Sequence, residues 1–150
     1  MAHYNFRQDL KEGVKGEETI VNFLESKGLL YLNSNNDNKY DIKMKKNNKE
    51  ITYEIKTDVY CSPTRDTGNM FLEFECRGKA SGIAVTQADW FVTYYEKLKE
   101  IWFIKTSDLI NLTKTESIKT INQSGDVGSN TCGYLLERKK YQKQFNVYKI

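Results

Sequence analysis

Between residues 9 and 27 the apolar residues Leu10, Val14, Val21 and Leu24 return at helical spacing, and Gly28 stands where a helix C-cap belongs. The pattern predicts an amphipathic helix over 9–27. Beyond it the period falls to two. LLYLN reads as a short strand, the Asn/Asp-rich run NSNNDN as a loop, and KYDIKMK as a second strand. A tight polar turn at 46–49 leads into EITYEIKTDV, which sets Ile51, Tyr53 and Ile55 against Thr52, Glu54 and Lys56. These two stretches predict a β-hairpin with one core face and one charged face. CSPTRDTGN holds the only proline and reads as a loop, and MFLEFEC after it alternates Phe71, Glu73 and Glu75 with Leu72, Phe74 and Cys76. After a Gly/Ser-rich connector, DWFVTYY, EKLK and EIWFIK predict a second hairpin, and SDLINLTKT a short helix with Ser107 as N-cap. Residues 122–133 read as a polar loop, and YLLERKKYQKQFNVYKI as one or two edge strands. The sum is one α/β domain over 1–150, a central mixed sheet of two hairpins and a strand, flanked by helices, with the N-terminal helix on one face.

Composition narrows what such a domain can do. A chain of 150 residues that is 39% apolar and 29% charged, with a single Pro and nine Gly, is neither disordered nor collagenous. No apolar run approaches the roughly 18 residues of a membrane span, and the polar start lacks a secretory core, so the expectation is an intracellular protein without a membrane partner. Three cysteines far apart and a single histidine, His3, argue against a disulfide scaffold, a structural zinc site and Cys-His or Ser-His catalysis. Chemistry must then rest on carboxylates, lysines or a hard metal. The net charge of +3 fits nucleic-acid binding and ordinary solubility equally well.

The predicted hairpin carries the candidate chemistry. Alternation puts Asp41 on one strand, and Glu54 and Lys56 on the next, on the face opposite Tyr40, Ile42, Met44, Tyr53 and Ile55. With the turn near 46–48, Asp41 and Glu54 fall on roughly opposite rungs, where cross-strand side chains meet. Two opposed carboxylates repel, and a divalent cation is the natural third party. Magnesium suits hard oxygen ligands and keeps waters that can be activated. Lys56 would place an ammonium beside the attacking water or the charge developing on a phosphate. On an ordinary strand the same three side chains would be a solvated face with a weak ion pair.

Asp41 followed by Glu54-Ile55-Lys56 resembles the PD-(D/E)XK nuclease superfamily, and GEETIVNFLESKG is similar to the helix that precedes the motif in its resolvase-like and restriction-like members. The likeness covers about residues 13–105, and Tyr40 stands where the motif's name implies proline. It implies a restriction-endonuclease-like core and a Mg²⁺-dependent endonuclease acting on DNA, with Mn²⁺ as substitute. Asp41, Glu54 and the Ile55 carbonyl would hold metal, and Lys56 would act in catalysis. Glu17, which the spacing of Val14, Val21 and Leu24 puts on the inward stripe, would hold a second metal or a metal-bound water. Structure-selective cutting, as by a junction resolvase, a homodimer that cuts two strands, and a role in recombination, repair, restriction or phage genome processing are further implications. GNMFLEFECRGKASGIAVTQADWFVTYY also looks like a segment of phage and prophage members.

Glu73 and Glu75 are expected on one face of their strand, where they could add to the acidic site. Lys79, Ser81 and Gln87, with Lys43 near the hairpin turn and Lys139 and Lys140 near the C-terminus, are candidate phosphate contacts. A binding module of the same fold without catalysis, and a ribonuclease, stay open as alternatives, because a metal-and-phosphate site does not by itself read the 2′-hydroxyl.

Overall fold

The structure, a computed structural model, describes residues 12–35, 39–124 and 130–150. Its centre is the alternating hairpin. Strands β2 (Ile42–Lys46) and β3 (Lys49–Asp58) run antiparallel with Ile42 opposite Tyr53 and Met44 opposite Ile51. Asn47 and Asn48 close the turn at φ 51° and 65°, a region asparagine enters more readily than other side chains and that a two-residue hairpin turn demands. Ile42, Met44, Tyr53 and Ile55 are all buried, and helix α1 (Glu12–Ser26) lays Ile20, Val21 and Leu24 on them. Each such side chain contributes about 1.5–3 kcal/mol by leaving water. The helix ends as its sequence predicts: Gly28 adopts φ 92°, its N–H donates to the Glu25 carbonyl at 3.0 Å, and the Leu29 N–H donates to that of Leu24 at 3.1 Å. Residues 9–11 of the predicted helix lie outside the described residues.

Around the hairpin the sheet grows in both directions. Strand β1 (Leu30–Ser34) pairs antiparallel with β2, and β6 (Trp90–Tyr95) pairs in parallel with β3, Glu54 beside Phe91 and Lys56 beside Thr93. The predicted second hairpin is β6 with β7 (Glu100–Lys105), and β10 (Asn146–Lys149) adds to the far edge. The result is a six-stranded mixed sheet in the order β1-β2-β3-β6-β7-β10. Among the described residues no helix is long and apolar enough to cross a membrane.

The other face of this sheet departs from expectation. MFLEFEC does not join the central sheet: as β4 (Asn69–Cys76) it founds a second, antiparallel sheet, ordered β5 (Lys79–Ala80), β4, β9 (Thr131–Glu137) and β8 (Lys119–Ser124). Part of the predicted polar loop at 122–133 is therefore strand at both ends. Met70, Leu72 and Leu136 of this sheet meet Phe91, Tyr95, Trp102 and Ile104 of the first, and helix α2 (Thr106–Thr115) adds Leu109 and Leu112. The α2 N-cap is Lys105, and Ser107 falls inside the first turn. The short helix α3 (Arg138–Tyr141) buries Arg138, whose guanidinium lies 4.7 Å from the Tyr95 ring centre and 5.9 Å from that of Trp102. It pairs with Asp66 and donates to the Asn69 carbonyl at 3.2 Å, tying the loop before β4 to the core.

One close approach sets the position of α1. A Cβ at Gly16 would lie 1.8 Å from Thr57 Oγ1 and 2.9 Å from Thr57 Cβ, so only glycine lets the helix rest on β3 one residue beyond Lys56.

Candidate active site

Asp41 immediately precedes β2, with its main chain held on two sides. Its N–H donates to the Tyr53 carbonyl and its own carbonyl accepts from Asn35 N–H, both at 2.9 Å. The side chain then reaches along the hairpin, where Oδ2 accepts the Ile55 N–H at 2.7 Å. Glu54 follows from alternation: Tyr53 and Ile55 enter the α1 core, so Glu54 and Lys56 face the other way. Glu54 Oε1 accepts a hydrogen bond from the Thr86 hydroxyl at 3.0 Å, and Oε2 lies 3.7 Å from Lys56 Nζ. The Glu54 side chain is 12% exposed and that of Lys56 is 41% exposed, so the acid is set in and the ammonium reaches out.

The electrostatics follow from this placement. Burial raises the Asp41 carboxyl above the ordinary carboxylate range, against the pull of the Ile55 N–H and the Lys56 charge. Burial also raises Glu54, and the negative charge of Asp41 raises it further, while Lys56 and Thr86 only partly offset them. Each acid thus holds its proton more tightly than in water. The hairpin register, with Ile42 opposite Tyr53, sets Asp41 beside Glu54, and the Asp41 charge acts on Glu54 accordingly.

Beyond Lys56 opens a cleft of about 230 Å³ lined by Lys56, Asp58, Tyr60, Phe71, Glu73 and Thr93, among others. Asp58 Oδ1 accepts from the N–H groups of Tyr60 and Cys61, both at 2.9 Å, and this turn presents Tyr60 with 76% of its surface exposed.

Asp41, Glu54 and Lys56 are therefore brought together as the hairpin pattern predicts. Ile55 stands between them with its side chain in the core and its N–H on Asp41. Glu17 is half-buried on α1, as is Glu18, so burial does not separate the two; the inward stripe is Gly16, Ile20, Val21 and Leu24. Among the described residues no three Asp, Glu, His or Cys side chains gather closely enough to hold an ion together. Glu73 and Glu75 do not share a face. A bulge between them pairs Glu73 with Gly133 and Glu75 with the neighbouring Cys132, which turns the two acids to opposite sides. Glu73 reaches the cleft, and Glu75 meets the Cys132 thiol at 3.7 Å.

The candidate phosphate contacts are scattered. Lys43 pairs with Glu50 at 3.4 Å and lies over the Tyr40 ring at 5.3 Å. Lys79, Gln87, Lys139 and Lys140 are exposed, while the Ser81 hydroxyl is buried. Among the described residues no hydrogen bond or salt bridge joins these six to Asp41, Glu54 or Lys56. The partner the sequence did not reveal is Thr86, which sits in the connector to β6 and reaches Glu54 across the fold. Its only local signal is a polar residue between Val85 and Ala88.

No protein-family model matches the chain, and neither the curated proteins nor the solved structures contain a match to it.

Proposed function

We propose that this protein is a metal-dependent endonuclease hydrolysing DNA phosphodiester bonds, with Asp41, Glu54 and Lys56 as its reactive group. The observation that carries the reading is the inset carboxylate pair at the open end of the β2–β3 hairpin, both acids raised in pKa, beside a lysine that lines a cleft. A buried acid pair of this kind is stabilised by a cation.

The donors fit a hard divalent ion. Both are carboxylate oxygens, and each group keeps acceptor capacity beyond the bonds from Ile55 and Thr86. Asp41, Glu54 and the Ile55 carbonyl would hold Mg²⁺, with Mn²⁺ able to replace it, and Glu17 would serve a second ion or its water. Bound there, the metal supplies Lewis-acid polarisation of a phosphoryl oxygen and a more acidic water. The protein's own groups do the rest. The Ile55 N–H and the Thr86 hydroxyl fix the two carboxylates in orientation. Lys56 sets its positive charge where negative charge develops during in-line displacement.

The order of elements supports the same reading. Helix α1 precedes the β2–β3 hairpin in the chain, as the resemblance to the PD-(D/E)XK superfamily implies, and β6 lies parallel to β3, whereas β4 belongs to the second sheet.

The test is incubation of supercoiled plasmid, a four-way junction and a structured RNA with the protein in Mg²⁺, Mn²⁺ or EDTA, alongside Glu54→Ala and Lys56→Ala. Metal-dependent DNA cutting that both variants lose, with circular dichroism unchanged, is the expected result. Full cutting by Lys56→Ala removes that residue from the mechanism. Salt-sensitive binding without strand breaks makes the protein a binding module, and cutting of RNA alone makes it a ribonuclease.

A further inference from the structure

On the opposite face of the six-stranded sheet, away from Glu54, the C-terminal end of α1 leaves a recess of about 290 Å³. Five rings line it: Tyr53 from β3, Trp90 from β6, Phe103 from β7, Tyr148 from β10 and Phe23 from the helix. Four of them, Phe23, Tyr53, Phe103 and Tyr148, form a continuous array. Phe23 lies 5.0 Å from Tyr148 and 5.9 Å from Phe103 between ring centres, and Phe103 meets Tyr148 at 5.7 Å and Tyr53 at 6.3 Å.

Charge is distributed there in one sense only. Lys27 and Lys46 are the charged residues of the lining, with no acid among its residues. Neither Lys27 nor Lys46 forms a salt bridge among the described residues, unlike Lys43 with Glu50, Lys56 with Glu54 and Lys149 with Glu100. The Lys27 ammonium instead lies over the Phe23 and Tyr148 rings at 5.4 and 5.7 Å. The end of α1 would by itself repel an anion, but the N–H groups of Lys27, Gly28 and Leu29 already occupy the Leu24 and Glu25 carbonyls.

We propose that this recess is a binding site for a free mononucleotide, its base against the rings and its phosphate at Lys27 and Lys46. Ring faces accept any flat base, and two ammonium groups match the charge of a phosphate dianion. The volume lies at the lower bound of ligand pockets, which suits one ring system with its sugar and phosphate. The site is independent of the carboxylate pair, since it stands on the other face of β3.

Trp90 reports on the recess directly, because the second tryptophan, Trp102, lies in the other core. In EDTA, AMP titrated into the protein should change tryptophan emission saturably below about 1 mM, and calorimetry should give the same constant. Trp90→Phe should lose the optical change while calorimetry still records binding. The exposed pair Lys27→Ala/Lys46→Ala should bind AMP about tenfold more weakly or worse, and adenosine should bind the unaltered protein more weakly by a similar factor. Glu54→Gln should bind AMP as the unaltered protein does, which separates this site from the carboxylates. Absence of saturable binding, equal affinity for adenosine and AMP, or undiminished binding by the lysine pair variant would overturn the proposal. A 5′-phosphorylated oligothymidylate that displaces AMP from Trp90 and binds more tightly would replace the free nucleotide by a strand end.

Discussion

Replacing Gly16 by alanine tests whether the seat of α1 on β3 is as tight as the geometry requires. Alanine is favoured over glycine inside a helix by about 1 kcal/mol, so on propensity alone Gly16→Ala is stabilising. The new Cβ, however, would meet Thr57 Oγ1 at 1.8 Å, its Cβ at 2.9 Å and its Cγ2 at 3.0 Å. Rotation about χ1 can move the hydroxyl and the methyl but not Thr57 Cβ, and the strand is held by pairing with β6 at Tyr94. The helix must lift. A contact this close falls in the upper part of the overpacking range, about 2–3 kcal/mol, which leaves a net loss of about 1–2 kcal/mol and a fall in melting temperature of about 2–8 °C for a domain this size. Thr57→Ala supplies the control. It removes two of the three colliding atoms, and the hydroxyl it deletes is buried without a hydrogen-bond partner among the described residues, so its own cost is small. Urea denaturation of the four proteins gives the cycle, in which Thr57→Ala should restore about 1 kcal/mol in the Gly16→Ala background. A Gly16→Ala protein as stable as its parent, or a Thr57→Ala effect equal in both backgrounds, refutes the argument.

Two further outcomes follow from the charged groups. Asp41 and Glu54 hold protons more tightly folded than unfolded, so the stability they contribute is present below their unfolded values of 3.8 and 4.5 and lost as pH rises through the higher folded ones. Without metal, the melting temperature should carry a downward slope with pH above 4.5 that Glu54→Gln flattens, and a slope unchanged in the variant contradicts the assignment. Arg138→Met should cost about 2–4 kcal/mol in denaturation, less than a fully buried pair because its partner Asp66 is 27% exposed in side chain. A loss under about 0.5 kcal/mol would mean that the stack on Tyr95 and Trp102 does not hold the loop before β4.

The hairpin was legible because its information is local. Ile42, Met44, Tyr53 and Ile55 alternate with Asp41, Glu54 and Lys56, and a two-residue turn fixes which rung faces which. The α1 cap was legible for the same reason, since Gly28 acts within one turn of the helix. The second sheet was not. Strand β4 finds β9 more than 50 residues away, and no period in MFLEFEC says whether its partner is β3 or β9. The bulge that parts Glu73 from Glu75 is likewise set by pairing, because a strict alternation would have kept them together. Thr86 was hidden because a lone hydroxyl in a connector gains meaning only when the parallel crossover brings it over Glu54.

That second sheet also sets a schedule for the growing chain. Met70 of β4 pairs with Leu136 of β9, 66 residues later. At about 5–20 residues per second of synthesis, roughly 3–13 s pass between the two emerging. Through that interval β4 presents Met70, Leu72 and the main-chain donors and acceptors that β9 will fill, while the β2–β3 hairpin already has α1 and gains β6 and β7 well before β9 appears. The sheet that carries Asp41, Glu54 and Lys56 can therefore gain β6 and β7 before β9 arrives to hold β4 in place, and β4 is the strand at which crowding or a slowed ribosome would first divert the chain toward aggregation.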